Sequence, residues 1–128
     1  MTDSPLARKL GLKPGYRAVV LSAQPGVLDQ LRPLPDGASV ATKAGRTRAD
    51  LVLVFVADSA ALADELPGAV AAVKPGGLLW VAYPKGGKKA GTDLNRDILW
   101  RQLGEHGLTG VSLVAVDTTW SAMRARPS

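Results

Sequence analysis

Three apolar runs constrain this chain more than any other feature: RAVVLS (residues 17–22), DLVLVFV (50–56) and LLWVAYP (78–84). Each is apolar at consecutive positions rather than at alternate ones. A strand with one wet face alternates, whereas a strand covered on both faces reads as an unbroken apolar stretch. Such strands sit inside a parallel sheet, and parallel neighbours need helical crossovers that cover both faces.

The intervening segments read as those helices. Ser4 and Pro5 suit an N-cap and first helical position, with Gly11 as the stop, so residues 5–10 form a short helix. Pro14-Gly15 turns the chain into the first run. Val27, Leu28 and Leu31 are spaced for a short helix that Pro33 and Pro35 end. Asp58 or Ser59 caps a helix carrying Leu62 and Leu66, and Pro67 predicts either two short helices or one with a kink. KPGG (74–77) reads as a turn. A further helix is expected from about residue 93 to 106, with Leu94, Ile98, Leu99 and Leu103 on one face.

ASVAT (38–42) is a weak strand, and about seven residues separate it from DLVLVFV, too few for a helical crossover. Either an extended segment carries the chain back across the sheet or the two strands form a hairpin; the first is the preferred reading. GVSLVAVD (110–117) and WSAMRARP (120–127) are joined so tightly that they predict an antiparallel hairpin. With no linker, repeat or low-complexity stretch, 1–128 reads as a single domain.

These expectations meet in a resemblance. LKPGYRAVVLSAQPG (12–26) resembles the opening of class I S-adenosylmethionine-dependent methyltransferases, and AVAAVKPGGLLWVAYP (69–84) resembles the helix, turn and fifth strand of that fold. The KLGLKPG opening, the KPGG turn, the Pro-Lys after the next strand, TDLN (92–95) and the Asp117, Trp120, Ser121 hairpin together resemble a small family of uncharacterised bacterial proteins with a shortened version of that core. The resemblance implies a three-layer, Rossmann-like α/β fold: a mostly parallel sheet ending in an antiparallel hairpin, with a strand–helix unit missing before Asp50.

The cofactor pattern of that fold is altered here. Where methyltransferases carry an acid followed by alternating glycines after the first strand, this chain has Ser22, Gln24, Gly26 and Leu28, so only Gly26 matches. Thr42-Lys43 stands where an acid should accept the ribose hydroxyls. The expectation is a non-catalytic domain with no cofactor, S-adenosylmethionine and an active methyltransferase being the alternative.

Ligands of open parallel sheets lie beyond the strands' carboxyl ends, and YPKGGKKAGTDLNRD (83–97) leaves one of them. Lys85, Lys88 and Lys89 supply positive charge, Gly86, Gly87 and Gly91 allow close backbone approach, and Thr92 or Asp93 is the expected helix cap. The following helix N-terminus favours an anion, although Asp93 and Asp97 compete for it. The run is not a P-loop, because Thr92 falls where that motif needs lysine. A small anionic or nucleotide-like ligand is therefore the expected partner, with Asn95 beside it and Ser22 and Gly26 across the edge. Asp117, Trp120 and Ser121 are secondary candidates, Asp117 most simply by starting a turn. Arg96 is expected to pair with a local carboxylate, Trp80 to be core, and Trp100 to lie at the core boundary.

Composition closes off other chemistries. The chain has no cysteine and one histidine, His106, which excludes disulfides and thiolate sites and argues against His-clustered metal binding; no metal is expected. Neither Ser22 nor Ser59 has a convincing base for a nucleophile. A net charge of +5 mildly favours anionic partners. Lys43, Arg46 and Arg48 come without interleaved aromatics, so nucleic acid is not expected. MTDSPLARKLG lacks the apolar core of a signal peptide, and no window approaches a membrane span, so a cytoplasmic location is expected. A homo-oligomer through an exposed sheet edge is the third expectation.

Overall fold

The computed structural model describes residues 4–127. In chain order the elements are α1 (Pro5–Leu10), β1 (Arg17–Leu21), α2 (Val27–Gln30), β2 (Ser39–Ala41), β3 (Ala49–Phe55), α3 (Ser59–Ala72), β4 (Val73–Pro84), a 3-10 turn (Gly87–Ala90), α4 (Arg96–Glu105), β5 (Leu108–Ala115) and β6 (Trp120–Pro127). They form one six-stranded sheet of order β2-β1-β3-β4-β6-β5. The first four strands are parallel, and β6 runs antiparallel to both β4 and β5.

Local chemistry sets the short elements. Ser4 Oγ accepts the Ala7 N–H at 2.8 Å, Pro5 opens the helix, and Gly11 closes it at φ 82°. Asp58 Oδ1 accepts the Ala61 N–H at 2.9 Å and starts α3. That helix runs unbroken through Pro67, so the two-helix alternative falls. Pro67 is exposed, and so is Ala63, whose carbonyl a non-proline residue at 67 would have bonded.

Two further expectations are corrected or resolved. KPGG does not end a helix in a turn; it lies inside β4 as a bulge. Between the pairs Ala49–Val73 and Leu51–Leu78, β3 advances two residues while β4 advances five. Residues 42–48 are irregular and exposed, and carry the chain from edge strand β2 past β1 to β3, so β2 and β3 are not a hairpin. The Tyr83–Pro84 peptide is trans, and the cis bond among the described residues is Arg32–Pro33.

Each sheet face has its own core. Val19, Val52, Val54, Leu79 and Val81 pack under α3 and α4 through Leu62, Leu66, Leu99 and Leu103. Val20, Leu51, Leu53 and Trp80 pack on the other face against Leu6 and Leu10 of α1 and Val27 of α2. Trp80 is core as expected, and its Nε1 donates to the Leu10 carbonyl at 2.9 Å. No described helix is long and apolar enough to cross a membrane.

Candidate functional site

The parallel strands deliver their loops to one edge. The loop after β1 begins with Ser22, the one after β3 carries Asp58 and the one after β4 begins with Lys85; β6 begins at the same edge, because Trp120 pairs with Pro84. The candidates from these loops therefore share an edge of the molecule, and hydrogen bonds tie several of them together.

Side-chain hydrogen bonds, one of them to α3, hold the first loop in place. Ser22 adopts φ 54°, a left-handed conformation that costs a residue with a Cβ about 1–3 kcal/mol. Ser22 Oγ donates to Glu65 Oε1 of α3 at 3.0 Å, and Gln24 Nε2 donates to the Ser22 carbonyl at 3.0 Å. Gly26, at φ 83°, is the N-cap of α2. An open depression of about 420 Å³ lies against Ala23, Gln24, Gly26 and Leu28. The sequence did not point to Glu65, since its link to Ser22 spans 43 residues.

The lysines of the fourth loop divide. Lys85 is half-buried and committed to the β5–β6 hairpin: its Nζ donates to the Asp117 carbonyl at 2.6 Å and its backbone N–H to the Thr119 carbonyl at 2.8 Å. Asp117 Oδ1 in turn accepts the N–H groups of Thr119 and Trp120, both at 2.8 Å, so Asp117 starts the turn as expected. Lys88 and Lys89 are exposed in the 3-10 turn and make no ion pair among the described residues. Gly86, Gly87 and Gly91 frame that turn at φ 96°, 55° and 77°, values that glycine alone takes without strain.

Neither expected cap serves α4. Thr92 is buried and turned inward: its N–H donates to the Gly87 carbonyl at 3.2 Å, and its Oγ1 accepts from Leu94 at 3.1 Å. Asp93 reaches across to α3, where Oδ1 accepts the Ser59 N–H at 2.8 Å. Asn95 is the N-cap, accepting the Ile98 N–H at 2.8 Å. Gln102 Nε2 adds a bond to Ser59 Oγ at 2.9 Å, so the loop, α3 and α4 are stitched at their ends. Arg96 pairs with Asp97 at 3.5 Å. Trp120 is half-buried and meets Phe55 edge to face, ring centres 5.0 Å apart.

Ser121 is buried beside Tyr83, its partner across β4 and β6. Burial pushes the Tyr83 hydroxyl pKa up, with nearby Arg96 and the Ser121 hydroxyl acting the other way. Tyr83 was not singled out from the sequence, where it reads as one more apolar strand position. Trp100 corrects another expectation: it is 56% exposed, not a boundary core residue. The cations of residues 43–48 do not form one face at this edge. The segment runs toward the opposite end, where Arg48 and Lys74 line a separate cleft of about 430 Å³.

Hydrogen bonding from the Ser59 backbone and then its hydroxyl lowers the Asp93 pKa. The Arg17 N–H at 2.7 Å, then the Lys74 ammonium, lower that of Asp50. Depressed folded-state carboxylates contribute stability above their unfolded pKa of about 3.9, and it is lost as pH falls through the folded value. The urea midpoint is therefore expected to fall as pH drops below about 4. Asp93→Asn, which keeps an acceptor but no charge, should flatten that acid limb. Superimposable acid limbs for the two proteins would show that Asp93 carries none of it.

No family model matches the sequence, and no curated protein matches it. Solved structures do. The ribosomal protein L11 methylase of Lactobacillus delbrueckii subsp. bulgaricus aligns with TM-score 0.64 at 13% identity, over 95% of this chain and 74% of that one. A DhpI–SAH complex gives 0.62 at 12%, over 97% and 82%. A SAM-dependent methyltransferase from Aquifex aeolicus gives 0.60 at 12%, over 94% and 86%. The shared feature is the fold: a mixed α/β sheet of the class I methyltransferase type, including the antiparallel β4-β6-β5 portion.

Proposed function

We propose that this methyltransferase-fold chain binds a small nucleotide-like anion at the carboxyl ends of its parallel strands and does not transfer methyl groups. The observation that carries this reading is the pair Lys88 and Lys89, exposed without ion-pair partners among the described residues, in a glycine-framed turn at the end of β4. A phosphate there meets two ammonium groups without ion-pair partners among the described residues and, at Gly86, Gly87 and Gly91, backbone that no Cβ shields. Lys85 is a positioning residue: its bond to the Asp117 carbonyl fixes the root of the turn to the hairpin. Asn95 and Asp93 hold the far side through the two helix starts.

The first loop fits S-adenosylmethionine poorly. The cofactor's methionine portion needs an open, glycine-lined backbone, and here Gln24 lies folded onto the Ser22 carbonyl while the Ser22 hydroxyl is engaged by Glu65. The position of the conserved type of acid is thus filled by a neutral group already in use. The likeness to a protein solved with SAH supports testing that ligand as the competing reading.

Thermal melting with ADP and with S-adenosylhomocysteine separates the two. A ligand that binds only the folded state at a hundredfold its Kd adds about 2.7 kcal/mol of stability. ADP is expected to raise the melting temperature, and Lys88→Ala with Lys89→Ala to abolish the rise. A shift with S-adenosylhomocysteine that survives both alanines would replace this reading with cofactor binding at the first loop. No shift with either ligand would overturn it.

A further inference from the structure

The two edges of the sheet are built differently. At one, β2 is three residues long, and the segment after it carries Lys43, Arg46 and Arg48. Short strands and flanking cations keep an edge from pairing with another chain. At the other, β5 is eight residues long, LTGVSLVA, with no charge and no proline. One side of its backbone has no neighbouring strand. Val111 is the extra residue of a bulge between Gly110 and Ser112, which leaves residues 112–115 as a regular, open pairing stretch.

Apolar surface gathers at this edge. The large hydrophobic residues that stand most exposed among the described residues are Val70, Trp100, Val111 and Leu113, and the last three flank one groove of about 300 Å³ between α4 and β5. Trp100 is not free to swing there. A Cβ on Gly110 would fall 2.5 Å from Trp100 Cδ1, so the indole lies directly on the strand backbone, and its Nε1 donates to the Gly110 carbonyl at 3.4 Å. An aromatic already held in place loses little side-chain freedom when covered, which is the property of an interface anchor.

We propose that this edge pairs with the same edge of a second copy, β5 against β5 about a two-fold axis, continuing the sheet and covering Trp100 and Leu113 of both chains. The charge pattern favours a copy of this chain over another partner. The net charge of +5 opposes contact between copies in general, but β5 itself is uncharged, and an anionic partner would be drawn to Lys88 and Lys89 or to residues 43–48 instead of this neutral strand. The groove's rim carries Arg96 and Asp97, adjacent, opposite in sign and well exposed. A two-fold contact presents that pair to itself, so Arg96 of each copy can face Asp97 of the other.

Sedimentation velocity across micromolar concentrations tests the proposal. The wild-type chain is expected to sediment as a dimer whose melting temperature rises with concentration. Leu113→Lys and Val111→Lys, both at exposed positions, should each weaken dimerisation at least tenfold and leave the melting temperature of the dilute protein unchanged. Ala41→Lys, on the β2 edge, should leave the dimer intact. A chain that stays monomeric at every concentration would overturn the proposal. So would a dimer that both lysines leave intact, or one that Ala41→Lys alone dissociates.

Discussion

Trp80→Ala is expected to lower stability by about 3–5 kcal/mol, the range for removing a fully packed aromatic. Trp80 sits in the fourth strand of the sheet order, 3% exposed, and does two things from there. Its ring fills the core face shared with Leu10, Leu51 and Leu53, and its N–H bonds the Leu10 carbonyl in the last turn of α1. Truncation opens a cavity under α1 and leaves that carbonyl without a partner in a buried place. Trp80→Phe separates the two effects: it keeps most of the volume and loses the bond, for about 1–3 kcal/mol. Urea unfolding of the three proteins measures both steps. A phenylalanine variant as stable as wild type would show that the bond contributes nothing and that packing alone holds α1.

Gly77→Ala is the second large effect, about 1–3 kcal/mol, and its origin is contact, not backbone conformation. A Cβ at 77 would lie 2.8 Å from Val73 Cγ2, 2.9 Å from the Asp50 carbonyl oxygen and 3.0 Å from that of Lys74. Two of those atoms are backbone and cannot step aside, so β3 and the bulge of β4 must separate. Gly76 next to it is the opposite case: φ is 78°, and nothing lies within 4 Å of its Cβ position. Gly76→Ala should cost only the left-handed penalty of about 1–2 kcal/mol. Crystal structures or amide exchange of the two variants would locate the damage, expected in the β3–β4 pairing for residue 77 and within the bulge for residue 76. If Gly77→Ala proved the milder of the two, the close packing of the bulge against β3 would be refuted.

The bulge also shows what the sequence could and could not convey. Lys74-Pro75-Gly76-Gly77 has the composition of a turn, and a bulge uses the same left-handed glycine; only the pairing of Ala49 with Val73 places the segment inside the strand. The three central strands were legible because burial on both faces leaves an unbroken apolar run. The cap of α4 was not, because Thr92, Asp93 and Asn95 are all good caps within four positions. The choice was made at long range, when Ser59 took Asp93 and the core took Thr92. Lys85 shows the same limit. Its charge and position in the loop were readable, whereas its engagement with the Asp117 carbonyl depends on a hairpin 32 residues away. Trp100 was misplaced because the helical wheel alone does not show that a glycine on the next strand would offer it a flat seat outside the core.

The strand order has a consequence for biosynthesis. β6 follows β5 in the chain but lies between it and β4. As the polypeptide emerges, β5 arrives before the strand that attaches it, and β4 keeps an apolar edge open until β6 follows. The delay between the end of β5 at residue 115 and the end of β6 at residue 127 is about 0.6–2.4 seconds at ~5–20 residues per second. During it, the nascent chain displays the open edge of β4 and an unattached β5, the interval in which neighbouring chains on one message could exchange strands.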